Sequence, residues 1–222
     1  MLFMLPLLAF AGFCTSSPVS PGRDAVASSA CATPVPILGM TCTDHTSPTG
    51  TQGALYIHSN LTVPAQAPGD IQRSTASFYP GDPGQPPITE CGTSLVQDGS
   101  PSDGSTDAAD CAAIASFAQS HTGFCTLTPD NLRADPWTVV VVYQICALVM
   151  TTLDGAVPRW LIYVGDQDVA TAVQSACDKY TSANGKLDAT AVLGCNTSDG
   201  RGGEDKVQTT FWLRNSAGII TK

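Results

Sequence analysis

Asp166 and Asp168 are, by type and spacing, the residues best suited to chemistry: two carboxylates in the run Asp166-Gln167-Asp168-Val169, directly after Gly165. Such a pair reads as the acid and base of a sugar hydrolase, or as part of a carboxylate metal site. A helix start explains the same residues without a ligand, because carboxylates there accept orphan N–H groups and lie at the positive end of the helix dipole. Asp107 and Asp110 repeat the pattern and take the same reading. His121 precedes Cys125 closely enough to suggest a Cys–His nucleophile. In a cysteine-rich chain, a bridged Cys125 and a His121 favouring a helix C-terminus account for both. No G-x-S-x-G elbow, P-loop or dinucleotide fingerprint occurs, so no residue is assigned a catalytic, cofactor-binding or metal role.

These residues need elements to hold them. Trp160 to Val164 is an apolar run rich in β-branched and aromatic residues, which suits a buried strand, and Gly165 breaks it. Val169, Val173, Ala176, Cys177 and Tyr180 then recur at helical spacing, with Asn184-Gly185 as the left-handed cap expected to end the helix. Leu187 to Cys195 returns as a strand. Upstream, Thr106 or Asp107 caps a helix whose inward stripe is Cys111, Ile114, Ala115 and Ala118 and which ends before Gly123. Cys91 to Val96 is a candidate edge strand or an ordered loop. The run from Trp137 to Met150 is too apolar for an exposed strand and too short and β-branched for a membrane helix, so it belongs at the middle of a sheet. Asp154-Gly155 is read as a turn that brings Trp160 to Val164 back as its hairpin partner, and Val207 to Leu213 alternates as a last strand. The resulting order predicts an α+β fold: one mainly antiparallel sheet with two helices packed on one face.

Trp137, Trp160 and Trp212 sit in or beside apolar strands, so burial against the helices is expected of them. The polar, glycine-containing loops 98–105 and 197–205 are the better candidates for contact with a partner.

With 10 Lys and Arg against 19 Asp and Glu, the chain carries a net charge of -9, which argues against a nucleic-acid partner. Residues 1–16 read as a signal peptide: the apolar run Leu2 to Ala11 is too short to span a bilayer and ends in small residues. Cleavage after Ala11 would keep Cys14. Cleavage before Ser17 would remove it and leave an even set, Cys31, Cys42, Cys91, Cys111, Cys125, Cys146, Cys177 and Cys195, which can pair completely in an oxidising compartment. No CxxC is present, and His45, His58 and His121 lie at no metal-ligand spacing. Asn60 and Asn196 open N-glycosylation sequons. All of this fits a secreted, extracellular protein with no cofactor and no membrane span in its mature form. Residues 17–87, rich in Ser, Thr, Pro and Gly, read as a partly irregular N-terminal region in which Ala54 to His58 alternates as a short strand, and 88–222 as the folded domain.

Several of these motifs carry a resemblance. Val164-Gly165-Asp166-Gln167-Asp168-Val169, Asn184-Gly185-Lys186-Leu187 and Val192-Leu193-Gly194-Cys195 are similar to the extracellular protein two (Ecp-type) effectors of leaf-mould fungi, the family of the necrosis-inducing factor domain. Cys91, Asp110-Cys111 and Gln144-Ile145-Cys146-Ala147-Leu148 extend the resemblance to roughly Ile88–Leu213. The central strand departs from the family's usual Gly-Thr-Cys, and Cys31, Cys42, Cys125 and Cys177 lie outside its pattern. The resemblance implies a disulfide-stapled fold similar in topology to a small killer toxin encoded by a virus of maize smut. That toxin's functional lysine matches no residue here, so its activity is not implied. If the four family cysteines pair among themselves, Cys31 with Cys42 and Cys125 with Cys177 use the rest. The implied function is that of a secreted fungal effector or necrosis-inducing factor that binds an unknown extracellular host or microbial target. A small extracellular hydrolase acting on polysaccharide and a cell-wall structural protein are the alternatives.

Overall fold

The computed structural model describes residues 29–32, 40–58, 77–80, 89–92, 95–99, 105–121, 123–128, 137–152, 161–197 and 206–217. The signal peptide, Asn60, Trp160, the Asp154-Gly155 turn and most of the two polar loops lie outside them. In chain order the elements are β1 Met40–Thr46, β2 Gln52–His58, β3 Ser77–Pro80, β4 Leu95–Asp98, β5 Thr106–Asp107, α1 Ala108–Ser120, β6 Gly123–Leu127 and β7 Thr138–Tyr143. They continue with β8 Cys146–Thr152, β9 Ile162–Gly165, α2 Asp166–Tyr180, β10 Lys186–Leu187, β11 Ala189–Cys195 and β12 Val207–Asn215.

The main sheet has seven strands in the order β1-β2-β7-β8-β12-β11-β4, and its pairings are all antiparallel. Cys146 and Leu148 share one face of β8 because side chains two apart point the same way. Cys111 of α1 is bridged to Cys146, and Leu148 lines a small apolar gap with Ala172, Val173 and Ala176 of α2. Both helices therefore lie on that face. Buried alanines on both, among them Ala113 and Ala115 on α1 and Ala170 and Ala172 on α2, let them pack closely against each other. The fold is α+β with an antiparallel sheet, as the order of elements predicts.

Three expectations are corrected. The long apolar run is two strands, β7 and β8, joined at Gln144-Ile145, where Gln144 takes φ 49°. No Gly or Asn marks this turn. Tertiary contacts hold it instead: Thr106 Oγ1 donates to Ile145 O, the Ile145 amide donates to Asp110 Oδ2, and Ser216 Oγ donates to Gln144 O. Second, β9 does not return to β8. It pairs with β6 in a separate sheet, β3-β6-β9, so the segment after His121 is a strand that its composition did not announce. Third, α2 ends at Tyr180 with an extended Thr181, and Gly185 (φ 75°) closes a separate turn by donating its amide to Ser182 O.

The hairpin β1–β2 joins the same main sheet, with Leu55, Tyr56 and Ile57 opposite Tyr143, Val142 and Val141 of β7. Leu55 and Ile57 are buried in the common core. The Ser/Thr/Pro-rich region thus contributes two strands of the seven.

Candidate functional site

The start of α2 gathers the strongest polar interactions. Gly165 is the N-cap, and the Asp168 carboxylate reaches back to it: Oδ2 accepts the Gly165 amide at 3.0 Å, the Glu90 amide at 2.7 Å and the Cys91 amide at 2.9 Å. Beside it, Cys91 is bridged to Cys195, and the Asn196 amide donates to Glu90 O. Burial raises the Asp168 carboxyl, and the three amides pull it back down. This carboxylate is a structural tie between three chain segments.

Asp166 is wholly buried. Its Oδ2 pairs with His121 Nδ1 at 2.6 Å, joining the end of α1 to the start of α2, while Oδ1 has no hydrogen-bond partner. Burial pushes this carboxyl up, and the bond to His121 opposes the rise. The two aspartates do sit at a helix start as expected, but Asp166 answers a side chain across the helix pair rather than its own amides. Neither presents the open, water-accessible geometry that glycoside hydrolysis requires.

Asp107 and Asp110 also differ from the capping expectation. Asp107 is the N-cap of α1 but makes no side-chain cap bond. Its carboxylate pairs with Lys186 Nζ at 2.6 Å, and the Ala108 amide is taken by Gly185 O. Asp110 holds the Ile145 amide; burial raises its carboxyl.

The eight cysteines among the described residues separate into two groups. Cys31–Cys42, Cys91–Cys195 and Cys111–Cys146 are bridged, whereas Cys125 and Cys177, expected to pair, are free thiols. The helices explain why. The Cys177 thiol donates to Ala108 O at the first residue of α1, while Cys125 lies on β6, beyond that helix's far end. A helix of this length holds its ends roughly 18 Å apart, far outside disulfide reach. Cys125 is also an unsuitable nucleophile: it is fully buried, and burial together with the nearby Asp166 charge holds the thiol protonated. Burial raises the Cys177 thiol to about 11.

On the face of the main sheet away from the helices, Trp212 alternates with the buried Phe211 and Leu213 and so points outward, against the expectation that it packs on the helices. Its ring meets Trp137 edge-on at 5.3 Å, its Nε1–H donates to Asp188 Oδ1 at 2.9 Å, and the Arg214 guanidinium lies 3.9 Å over its centroid. Both tryptophans are half-buried. Arg214, which sequence reasoning passed over, had a signal: it lies two residues from Trp212 on the same strand face. Asn196 is half-buried, and its Nδ2 donates to Glu90 Oε2 at 2.9 Å.

Among the described residues no cluster of His, Cys, Asp or Glu could hold a metal ion, and no helix is long and apolar enough to cross a membrane. These features define a disulfide-stapled α+β domain whose ionisable groups at the helix starts serve the fold. Residues 90–195 match the Hce2 family model, described as "Pathogen effector; putative necrosis-inducing factor". The match spans both cysteines of the Cys91–Cys195 bridge and encloses Cys111–Cys146. No curated protein matches the chain.

Proposed function

We propose that this protein is a secreted fungal effector that acts outside the cell by binding a host or competitor target, without catalysis of its own. The observation that carries this reading is the state of Asp168: the carboxylate placed best for chemistry is buried and accepts three main-chain amides, so it can neither attack nor transfer a proton without undoing the fold. Its neighbour Asp166 and the Cys125 thiol are likewise internal. Among the described residues, what remains for function is a stapled surface that loses little conformational entropy on binding. Trp137, Trp212 and Arg214 are of the residue types that dominate binding interfaces, and they lie half-buried on the helix-free sheet face. Three disulfides suit an oxidising, extracellular setting.

Leaf infiltration with purified oxidised protein, beside a reduced and alkylated control, tests the reading. Cell death from the oxidised form alone is the expected result. Absence of a response in every plant tried would move the function toward antagonism of other microbes, suppression of defence or a wall role.

A further inference from the structure

We propose that His45 makes the tip of the N-terminal hairpin a pH-gated cover, seated on Phe117 and Tyr143 near neutral pH and loosened when the surroundings turn acidic. His45 lies on β1 directly opposite Gly53 of β2. Its ring meets Phe117 of α1 edge-on at 5.9 Å and Tyr143 of β7 edge-on at 6.0 Å. The seat is close-fitting: a Cβ on Gly53 would come within 2.6 Å of Tyr143 Oη, so glycine is what lets the tyrosine lie across the hairpin. Tyr143 Oη then donates to Thr51 O at 3.0 Å, tying the tip to the sheet.

Inside this seat His45 Nε2 is buried and has no hydrogen-bond partner. A proton added there creates a charge without an anion. The charged groups around it have other partners: Asp44, next on β1, accepts the Cys31 amide, and Asp110 on α1 accepts the Ile145 amide. His121 stacks on Phe117 and is paired with Asp166. Tyr143 is a hydrogen-bond donor here, its hydroxyl raised by burial. Burial likewise lowers the His45 imidazole below its ordinary range, outweighing the Ala113 carbonyl, which favours the charged ring. The seated form thus holds neutral His45, and the lifted form takes up the proton. Seating is full above the ordinary histidine range and falls as pH drops through it. Leu55 and Ile57 remain in the core, so the lift is confined to the tip, where it uncovers Phe117 and Tyr143.

Hydrogen exchange on the full secreted chain, at about pH 5 and about pH 7.5 with intrinsic rates corrected, reads this directly. Amides between His45 and Gly53 should exchange severalfold faster in acid, while the β11–β12 ladder does not change. His45→Phe keeps the aromatic contacts and should abolish the response. Equal protection of the tip at both pH values, or a response that survives in His45→Phe, overturns the proposal. Should that variant not fold, an NMR titration of the wild-type His45 ring decides: titration below an exposed histidine is expected, and titration at or above it overturns the proposal.

Discussion

The start of α2 and the tip of the N-terminal hairpin each tie distant parts of the chain to the core, and they do so with different forces. Around Asp168 the ties are main-chain amides on a buried carboxylate, with the Cys91–Cys195 bridge beside them. At the hairpin tip they are two edge-on aromatic contacts of an imidazole and one tyrosine hydrogen bond. The first set cannot be exchanged for water without stranding buried donors or breaking a covalent bond. The second can be released one contact at a time. Acid also acts on them with opposite sign. The Asp166 and Asp168 carboxyls, raised by burial, hold protons more readily folded than unfolded, so falling pH through the usual carboxylate range favours this end of the fold. His45, lowered by burial, disfavours the seated hairpin as pH falls through the histidine range.

Substitutions at four positions probe this contrast, in decreasing order of effect. Cys195→Ala opens a bridge across a sequence separation of 104; removing a native bridge from a small secreted domain costs about 2–5 kcal/mol. Denaturant unfolding under oxidising conditions measures it, and a loss below about 1 kcal/mol would mean that the amide cluster holds the junction without the bridge. Asp168→Ala strands the amides of Cys91 and Gly165 in the interior, for an expected loss of about 2–3 kcal/mol, with Asp168→Asn recovering part of it by keeping an acceptor oxygen. Gly53→Ala forces Tyr143 out of its seat at about 1–3 kcal/mol, and exchange protection should fall in the hairpin but not at β11–β12. A uniform loss across the sheet would show that the hairpin and the module unfold together. Tyr143→Phe removes the hydroxyl that bonds Thr51 O and the Ser47 side chain, about 0.5–1.5 kcal/mol, and should steepen the hairpin's response to acid.

The sites of this protein follow a similar division. Asp166 and Asp168 are recognisable in the chain as helix-start carboxylates because capping is local: a few residues and one turn of backbone suffice to state it. Which groups they bond is not local. Glu90 and Cys91 are 78 and 77 residues from Asp168, and His121 is 45 from Asp166. The hairpin seat carried one legible sign, Gly53 within a strand, which marks close approach by something without naming Tyr143.

What the sequence determined alone was the set of properties that short-range physics expresses: two helices, apolar strands at alternating or continuous spacing, and an acidic composition. These predict an α+β antiparallel fold, and helix positions come out nearly as observed. Tertiary structure decided the rest. It split one apolar run into β7 and β8 at Gln144-Ile145, because Thr106, Asp110 and Ser216 hold a turn that the two residues do not signal themselves. It paired β9 with β6, since strand partners are chosen by burial of a shared face and not by order along the chain. It left Cys125 and Cys177 unbridged, because counting cysteines says nothing about which ends of a helix they occupy, and a disulfide forms only where two sulfurs are already brought together.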